Sequence, residues 1–174
     1  MRCSANRFMR TLACLGAVYC GAAQGAFAGS PLGIVQSFAD NCFSPFLTAA
    51  KAETALRTPG VRVDFYDLDP FSSVLPSPVV GRPATPGTDR RCEIAFDGDH
   101  RAIAVKAAVE ALKSEGIVSE ADLPQTHTKT GGTALLAARQ LNPKRIAVVH
   151  VGTRPGPSGP ETFMTVERLI PATQ

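Results

Sequence analysis

The sequence predicts an α+β fold with N-terminal helices, a long central helix packed on an antiparallel sheet, and a three-stranded C-terminal meander. Two observations predict this class. Apolar residues recur at intervals of three and four in the early segments and in one long central segment, which is typical of amphipathic helices. The last third of the chain alternates apolar and polar residues between tight turns, which is typical of antiparallel strands.

The first 28 residues have the layout of a cleaved secretory signal. Three arginines precede an uncharged stretch over residues 11–23, and the triplet 26–28 supplies the small side chains that the peptidase requires. The uncharged stretch is too short, and too rich in Gly and Ala, to span roughly 30 Å of hydrocarbon. We expect cleavage near Ala28 and a mature chain, 29–174, that is periplasmic or secreted. Lipid anchoring through Cys14 or Cys20 stays open, although neither has the usual Leu three residues before it.

Removal of the leader changes the charge and cysteine counts. Because the leader contains three arginines and no acidic residue, 18 basic residues become 15, equal to the 15 acidic ones. No basic surplus is left for a nucleic-acid partner. Only Cys42 and Cys92 remain, which predicts one disulfide and excludes a zinc site built on thiols alone. The remaining length suits one domain, and no further apolar run predicts a membrane span.

The first half of the mature chain predicts two helices and a strand. A helix over 31–41 follows from the helical spacing of its apolar residues. Ser44-Pro45 is a typical helix start and Thr58-Pro59-Gly60 a typical stop, so a second helix is predicted over 45–57. Alternation predicts a strand over 61–66. The proline-rich segment 72–89 is predicted to be a long loop and a candidate interaction surface.

The second half predicts one helix and four strands. A strand over 90–96 precedes a helix over 100–115, which Asp99 is expected to cap and Gly116 to end. Ser119 begins a possible short helical turn over 119–123. The meander is predicted over 133–141, 145–153 and 161–170, with a loop over 154–160.

Three aspartates after the first strand raise the question of a cation site. Asp64 is expected on the solvent side of the strand, with Asp67 and Asp69 accepting backbone hydrogen bonds in the following turn. The alternative is a metal site centred on Asp67 and Asp69, although Pro70 and Phe71 stand where further ligands would be needed.

The histidines supply the candidates for catalysis. Asp97 and His100 lie together at the start of the long helix, where a carboxylate and an imidazole could serve acid–base chemistry. Helix capping already accounts for the acidic residues there. His127 precedes Gly131-Gly132, a possible anion-binding nest, although a plain connector is the simpler interpretation. His150 is expected to be a core or half-exposed histidine. No cofactor is expected.

Cys42 followed by Pro45, the stretches "VDFYDL" and "CEIAF", the Ala-rich helix and the terminal strands together resemble a loosely defined group of small exported bacterial proteins of unknown function. The resemblance implies a fold and a disulfide but no activity. We therefore expect an exported domain that binds a protein or a small molecule, or supports an envelope assembly. The alternatives are a small hydrolytic enzyme using His100 or His127 with an aspartate, and a metal-binding protein.

Overall fold

The computed structural model describes residues 29–67 and 87–170, which form three helices and one five-stranded antiparallel sheet. The α+β class is thereby confirmed. The elements in chain order are α1 (Pro31–Asn41), α2 (Ala49–Leu56), β1 (Val61–Asp67), β2 (Thr88–Asp97), α3 (Arg101–Ser114), β3 (Thr133–Asn142), β4 (Arg145–Gly156) and β5 (Gly159–Leu169). The strand order across the sheet is β1-β2-β5-β4-β3, and every neighbouring pair is antiparallel.

One face of the sheet, which we call the helix face, carries the main apolar core. Register places Val63 opposite Ile94, Ile94 opposite Met164, and Met164 opposite Val151. These side chains are buried with apolar residues of all three helices, including Phe38 of α1. Since strand residues alternate between faces, the residues between them point to the opposite side, which we call the far face.

The predicted disulfide between Cys42 and Cys92 is present, with its Cα atoms 5.6 Å apart. Cys42 is the C-cap of α1 and Cys92 lies within β2, and both are buried. The bond therefore joins the end of the first helix to the sheet through the core.

The prediction of a helix over 45–57 is wrong at its start, because α2 begins only at Ala49. Arg90 of β2 donates hydrogen bonds to the backbone carbonyls of Ser44 (2.9 Å) and Leu47, so this segment turns around a guanidinium. Thr48 then caps α2 by accepting from the N–H of Lys51 at 3.3 Å.

The cap predicted for the third helix is also different. The N-cap of α3 is His100, without a side-chain cap, whereas Asp99 accepts from the backbone and the guanidinium of Arg101. At the other end Gly116 has φ 70° and Ile117 N–H donates to Leu112 O at 2.8 Å. This is the glycine-terminated helix end that the sequence predicted.

The loop predicted over 154–160 is largely strand. β4 continues to Gly156 and β5 begins at Gly159, so the connection is a two-residue turn. An ion pair between Arg154 Nε and Glu161 Oε1 (2.6 Å) spans the two strands there.

Elsewhere, β2 begins at Thr88, two residues before its predicted start, and most of the proline-rich loop lies outside the described residues. Within the described ranges, no helix has the length and apolar character needed to cross a bilayer.

Candidate functional site: a cavity on the far face of the sheet

A segment over residues 117–132, which we call the strap, connects α3 to β3 and crosses the far face. Its first part follows the edge of β3, where Ser119 O accepts from Gln140 N–H at 2.9 Å and Ala121 N–H donates to Ala138 O at 3.3 Å. The helical turn predicted over 119–123 is absent because these backbone groups pair with the strand instead.

The middle of the strap brings His127 onto the sheet. A turn with His127 N–H donating to Pro124 O (2.9 Å) directs the imidazole inwards. Its side chain is 8% exposed, and Nε2 lies 2.6 Å from Oε2 of Glu167 on β5. Nδ1 lies 3.0 Å from the hydroxyl of Thr126, which is exposed. His127 is therefore more than the connector that the sequence favoured.

The strap ends in a close backbone contact with β4. Gly132 O accepts from Thr153 N–H at 2.9 Å, and a Cβ built on Gly132 would stand 1.9 Å from Thr153 O. Gly131 and Gly132 lie in the turn before β3, and neither has a positive φ, so the pair does not supply the left-handed residue of an αR–αL anion-binding nest.

We predict that Gly132→Ala lowers the thermal midpoint because the added methyl group must push the strap away from β4. An overpacked contact of this kind costs roughly 1–3 kcal/mol. Gly131→Ala is the matched control, since a Cβ there meets nothing within 4 Å. Thermal unfolding followed by circular dichroism measures both, and equal midpoints for the two variants would contradict the close contact.

Between the strap and strands β4 and β5 lies a cavity of about 520 Å³. That volume lies within the range of pockets that bind small molecules. Val148 and Phe163 give it an apolar wall, while Glu93, Thr165 and Arg154 line it with polar groups. We call it the far-face cavity.

Two carboxylates in the wall of the far-face cavity are almost fully buried. Glu93 accepts from Arg154 Nη2 and from Thr165 Oγ1, both at 2.9 Å. Glu167 accepts from Arg91 Nε at 2.5 Å and contacts His127. The exposed fractions of the Glu93 and Glu167 residues are 2% and 4%. These groups are held in fixed positions by charge-assisted hydrogen bonds.

The expectation that Asp64 faces solvent is wrong. Asp64 is buried on the far face, and its Oδ2 lies 3.4 Å from Arg91 Nη1. Asp64 and Glu167 thus flank one buried guanidinium, which links β1, β2 and β5.

Asp67 is the last residue of β1, and its carboxylate is buried on the helix face, where it accepts from two guanidiniums. Arg90 Nε lies 2.7 Å from Oδ2, and Arg168 Nη2 lies 3.2 Å from Oδ1. The turn predicted to supply its backbone donors lies outside the described residues. Asp69, the other candidate metal ligand, lies outside the described residues. Among residues 29–67 and 87–170 no three potential ligands are grouped to hold a metal ion.

The structure brings two of the three histidines to the same cavity. His150 lies on β4, its ring packs edge-on against Phe163 at 4.9 Å, and its Nε2 lies 2.8 Å from Thr133 Oγ1. His100 instead stacks on Phe96, with 5.6 Å between ring centroids, and Asp97 pairs with Arg62 at 2.9 Å. His100 and Asp97 do not line the far-face cavity.

Burial lowers the pKa of His150 below its usual 6.5, and electrostatic repulsion by His127, when that ring is protonated, and by Arg154 acts in the same direction. The carboxylates of Glu93 and Glu167 oppose the shift without overcoming it. His150 is therefore a neutral imidazole at pH 7.

We predict that His150 titrates below pH 6.5 when its ring proton is followed by NMR. The unfolded chain binds this proton more readily, so the free energy of unfolding falls as the pH drops from about 6.5 towards the folded pKa. His150→Phe should remove this part of the pH dependence. A His150 midpoint at or above 6.5 would contradict the burial of the charged form.

Sequence reasoning missed Glu93, Arg154, Thr165 and Glu167 as site residues. The available signal was alternation, since Arg91 and Glu93 share one face of β2, and Thr165 and Glu167 share one face of β5. Charged residues at inward positions of two strands that pair across the sheet indicate a polar site.

Comparisons with protein-family models, with curated proteins and with solved structures found no match to the chain. Function is therefore inferred from the far-face cavity itself.

Proposed function

We propose that the chain is an exported domain that binds a small polar molecule in the far-face cavity. The observation that carries the proposal is the pair of buried carboxylates, Glu93 and Glu167, in the wall of a cavity of ligand size. Each is oriented by two donors, so the cavity presents fixed polar groups beside the apolar surface of Val148 and Phe163.

The energetics of the far face support a functional role. Removing a carboxylate and a guanidinium from water costs several kcal/mol per ion, and apolar residues of similar size often give a fold of equal stability. The helix face shows that this chain packs apolar residues across the same strands. Buried ion pairs occur on the helix face as well, at Asp67 and Arg90, so the case for ligand recognition rests on the buried carboxylates that also line a cavity, Glu93 and Glu167.

Export is supported by the leader layout of residues 1–28 and by the Cys42–Cys92 disulfide. Disulfides persist in oxidising compartments such as the periplasm and the extracellular space. The resemblance to small exported bacterial proteins is consistent with the same location. Cleavage before Gly29 is checked by the intact mass of the protein recovered from the periplasm or medium.

A thermal-shift screen of small polar compounds tests the binding proposal, because a ligand that binds only the folded state raises the melting temperature. Compounds that stabilise the natural protein should fail to stabilise His150→Phe, which keeps a ring against Phe163 but removes both ring nitrogens. His100→Phe is the matched control outside the cavity and should respond like the natural protein. Stabilisation by no compound, or an unchanged response in His150→Phe, would count against the cavity.

A second candidate function is a small hydrolytic enzyme. It is favoured by the 2.6 Å contact between His127 and Glu167, because a histidine oriented by a carboxylate in a cavity is the arrangement that general-base catalysis requires. The carboxylate is a glutamate from β5, not the aspartate expected from the sequence, and His127 rather than His100 supplies the imidazole.

A further inference from the structure

Three side chains that line the far-face cavity form a continuous hydrogen-bonded chain. The hydroxyl of Thr126 lies 3.0 Å from Nδ1 of His127, and Nε2 of the same ring lies 2.6 Å from Oε2 of Glu167. A hydroxyl within reach of a base that a third group orients is the general signature of an activated nucleophile. This inference rests on the hydrolytic candidate function.

We propose that Thr126 is the nucleophile of an acyl-transfer site that acts on small esters. Glu167 fixes the proton of the imidazole on Nε2, which leaves Nδ1 as the acceptor for the hydroxyl proton of Thr126. Arg91 donates to the other oxygen of Glu167 at 2.5 Å and so holds the carboxylate in this orientation. Arg91 is a positioning residue and contacts neither Thr126 nor the acyl group.

The three hydrogen-bonded side chains differ in exposure in the way that catalysis requires. Thr126 is exposed at the mouth of the cavity, whereas the His127 and Glu167 side chains are 8% and 5% exposed. A substrate can therefore reach the hydroxyl, while the contact between His127 Nε2 and Glu167 is buried. The apolar surface of Val148 and Phe163 inside the cavity suits a short, uncharged acyl group.

The proposed reaction has two balanced steps. Thr126 Oγ1 bonds to the ester carbonyl carbon while its proton passes to His127 Nδ1, and the carbon–alkoxy bond then breaks as that proton moves to the departing alcohol. Water next attacks the acyl-threonine, gives a proton to His127, and releases the carboxylic acid as the proton returns to Thr126 Oγ1. No oxidant, reductant or metal ion is consumed.

Hydrolysis of 4-nitrophenyl acetate, with peptide mapping by mass spectrometry after an acid quench, tests the proposal. We expect the natural protein to release nitrophenol faster than buffer and to carry one acetyl group on Thr126. Thr126→Val, a change of nearly equal volume at an exposed position, should lower the rate about 100-fold or more, and Thr126→Ser should restore it. Thr128→Val, on the same strap but outside the cavity lining, should leave the rate unchanged.

The possible outcomes separate the two levels of the proposal. Full activity in Thr126→Val, together with no acetyl group on Thr126 of the natural protein, would overturn the nucleophile while leaving His127 as a base that activates water. Loss of that activity in His127→Gln, with an unchanged melting temperature, would then support the general-base form. No hydrolysis by the natural protein above buffer would overturn both the nucleophile and the hydrolytic candidate.

Discussion

Replacing Arg91 with methionine is expected to lower the free energy of unfolding by roughly 3–5 kcal/mol, the usual effect of removing one partner from a buried ion pair. Arg91 is 3% exposed and lies between Glu167 and Asp64 on the far face. Methionine fills similar space but leaves both carboxylates buried beside an apolar side chain. Urea denaturation measures the change.

The matched control for Arg91 is Arg101→Met. Arg101 also pairs with a carboxylate, Asp99, but both side chains are more than 40% exposed, at 42% and 46%. Water screens that pair, so little change in stability is expected. Similar losses of unfolding free energy in both variants would show that breaking a far-face ion pair costs no more stability than breaking a surface pair.

Replacing Cys42 and Cys92 together with alanine is expected to lower the free energy of unfolding by about 4 kcal/mol. The two cysteines are 50 residues apart, and the open chain gains conformational freedom in the unfolded state when the link is removed. Urea denaturation of the oxidised protein and the double variant measures the difference.

Reduction of the natural protein supplies the control for the disulfide, because it breaks the S–S bond but keeps both sulfur atoms, whereas the alanine variant also removes the sulfur atoms. It should reproduce most of the loss. A natural protein that contains two free thiols after secretion, or a double variant as stable as the oxidised form, would contradict a structural role for the bond.

The fold class and the disulfide could be predicted because both depend on local signals. Alternation and turn residues define the strands, and only two cysteines remain after the proposed leader. The start of α2 could not be predicted, since Arg90, which holds the carbonyls of Ser44 and Leu47, lies more than 40 positions further along the chain.

The candidate site was predictable only in part. His127 was identified from the sequence, but its partner Glu167 is 40 positions away and reaches it only because the strap crosses β4 and β5. Asp64 was predicted on the solvent side of a strand and Asp67 in a turn, because short-range patterns do not show which arginines lie near them in the sheet. Register, which long-range pairing decides, determines these contacts.

One face of the sheet packs against the helices and includes the buried ion pair of Asp67 and Arg90, and the other face lines the far-face cavity. A second cavity of about 420 Å³ lies on the helix face beside Cys42, Phe43 and Val166. Ligand binding in the far-face cavity can be compared with binding in this second cavity.

Crystals soaked with a mixture of small polar fragments test the central claim most directly. The far-face cavity should contain bound fragments that contact His127, His150 or Glu93. Fragments found only in the second cavity beside the disulfide, with the far-face cavity empty at every concentration used, would contradict the assignment of function to the far face.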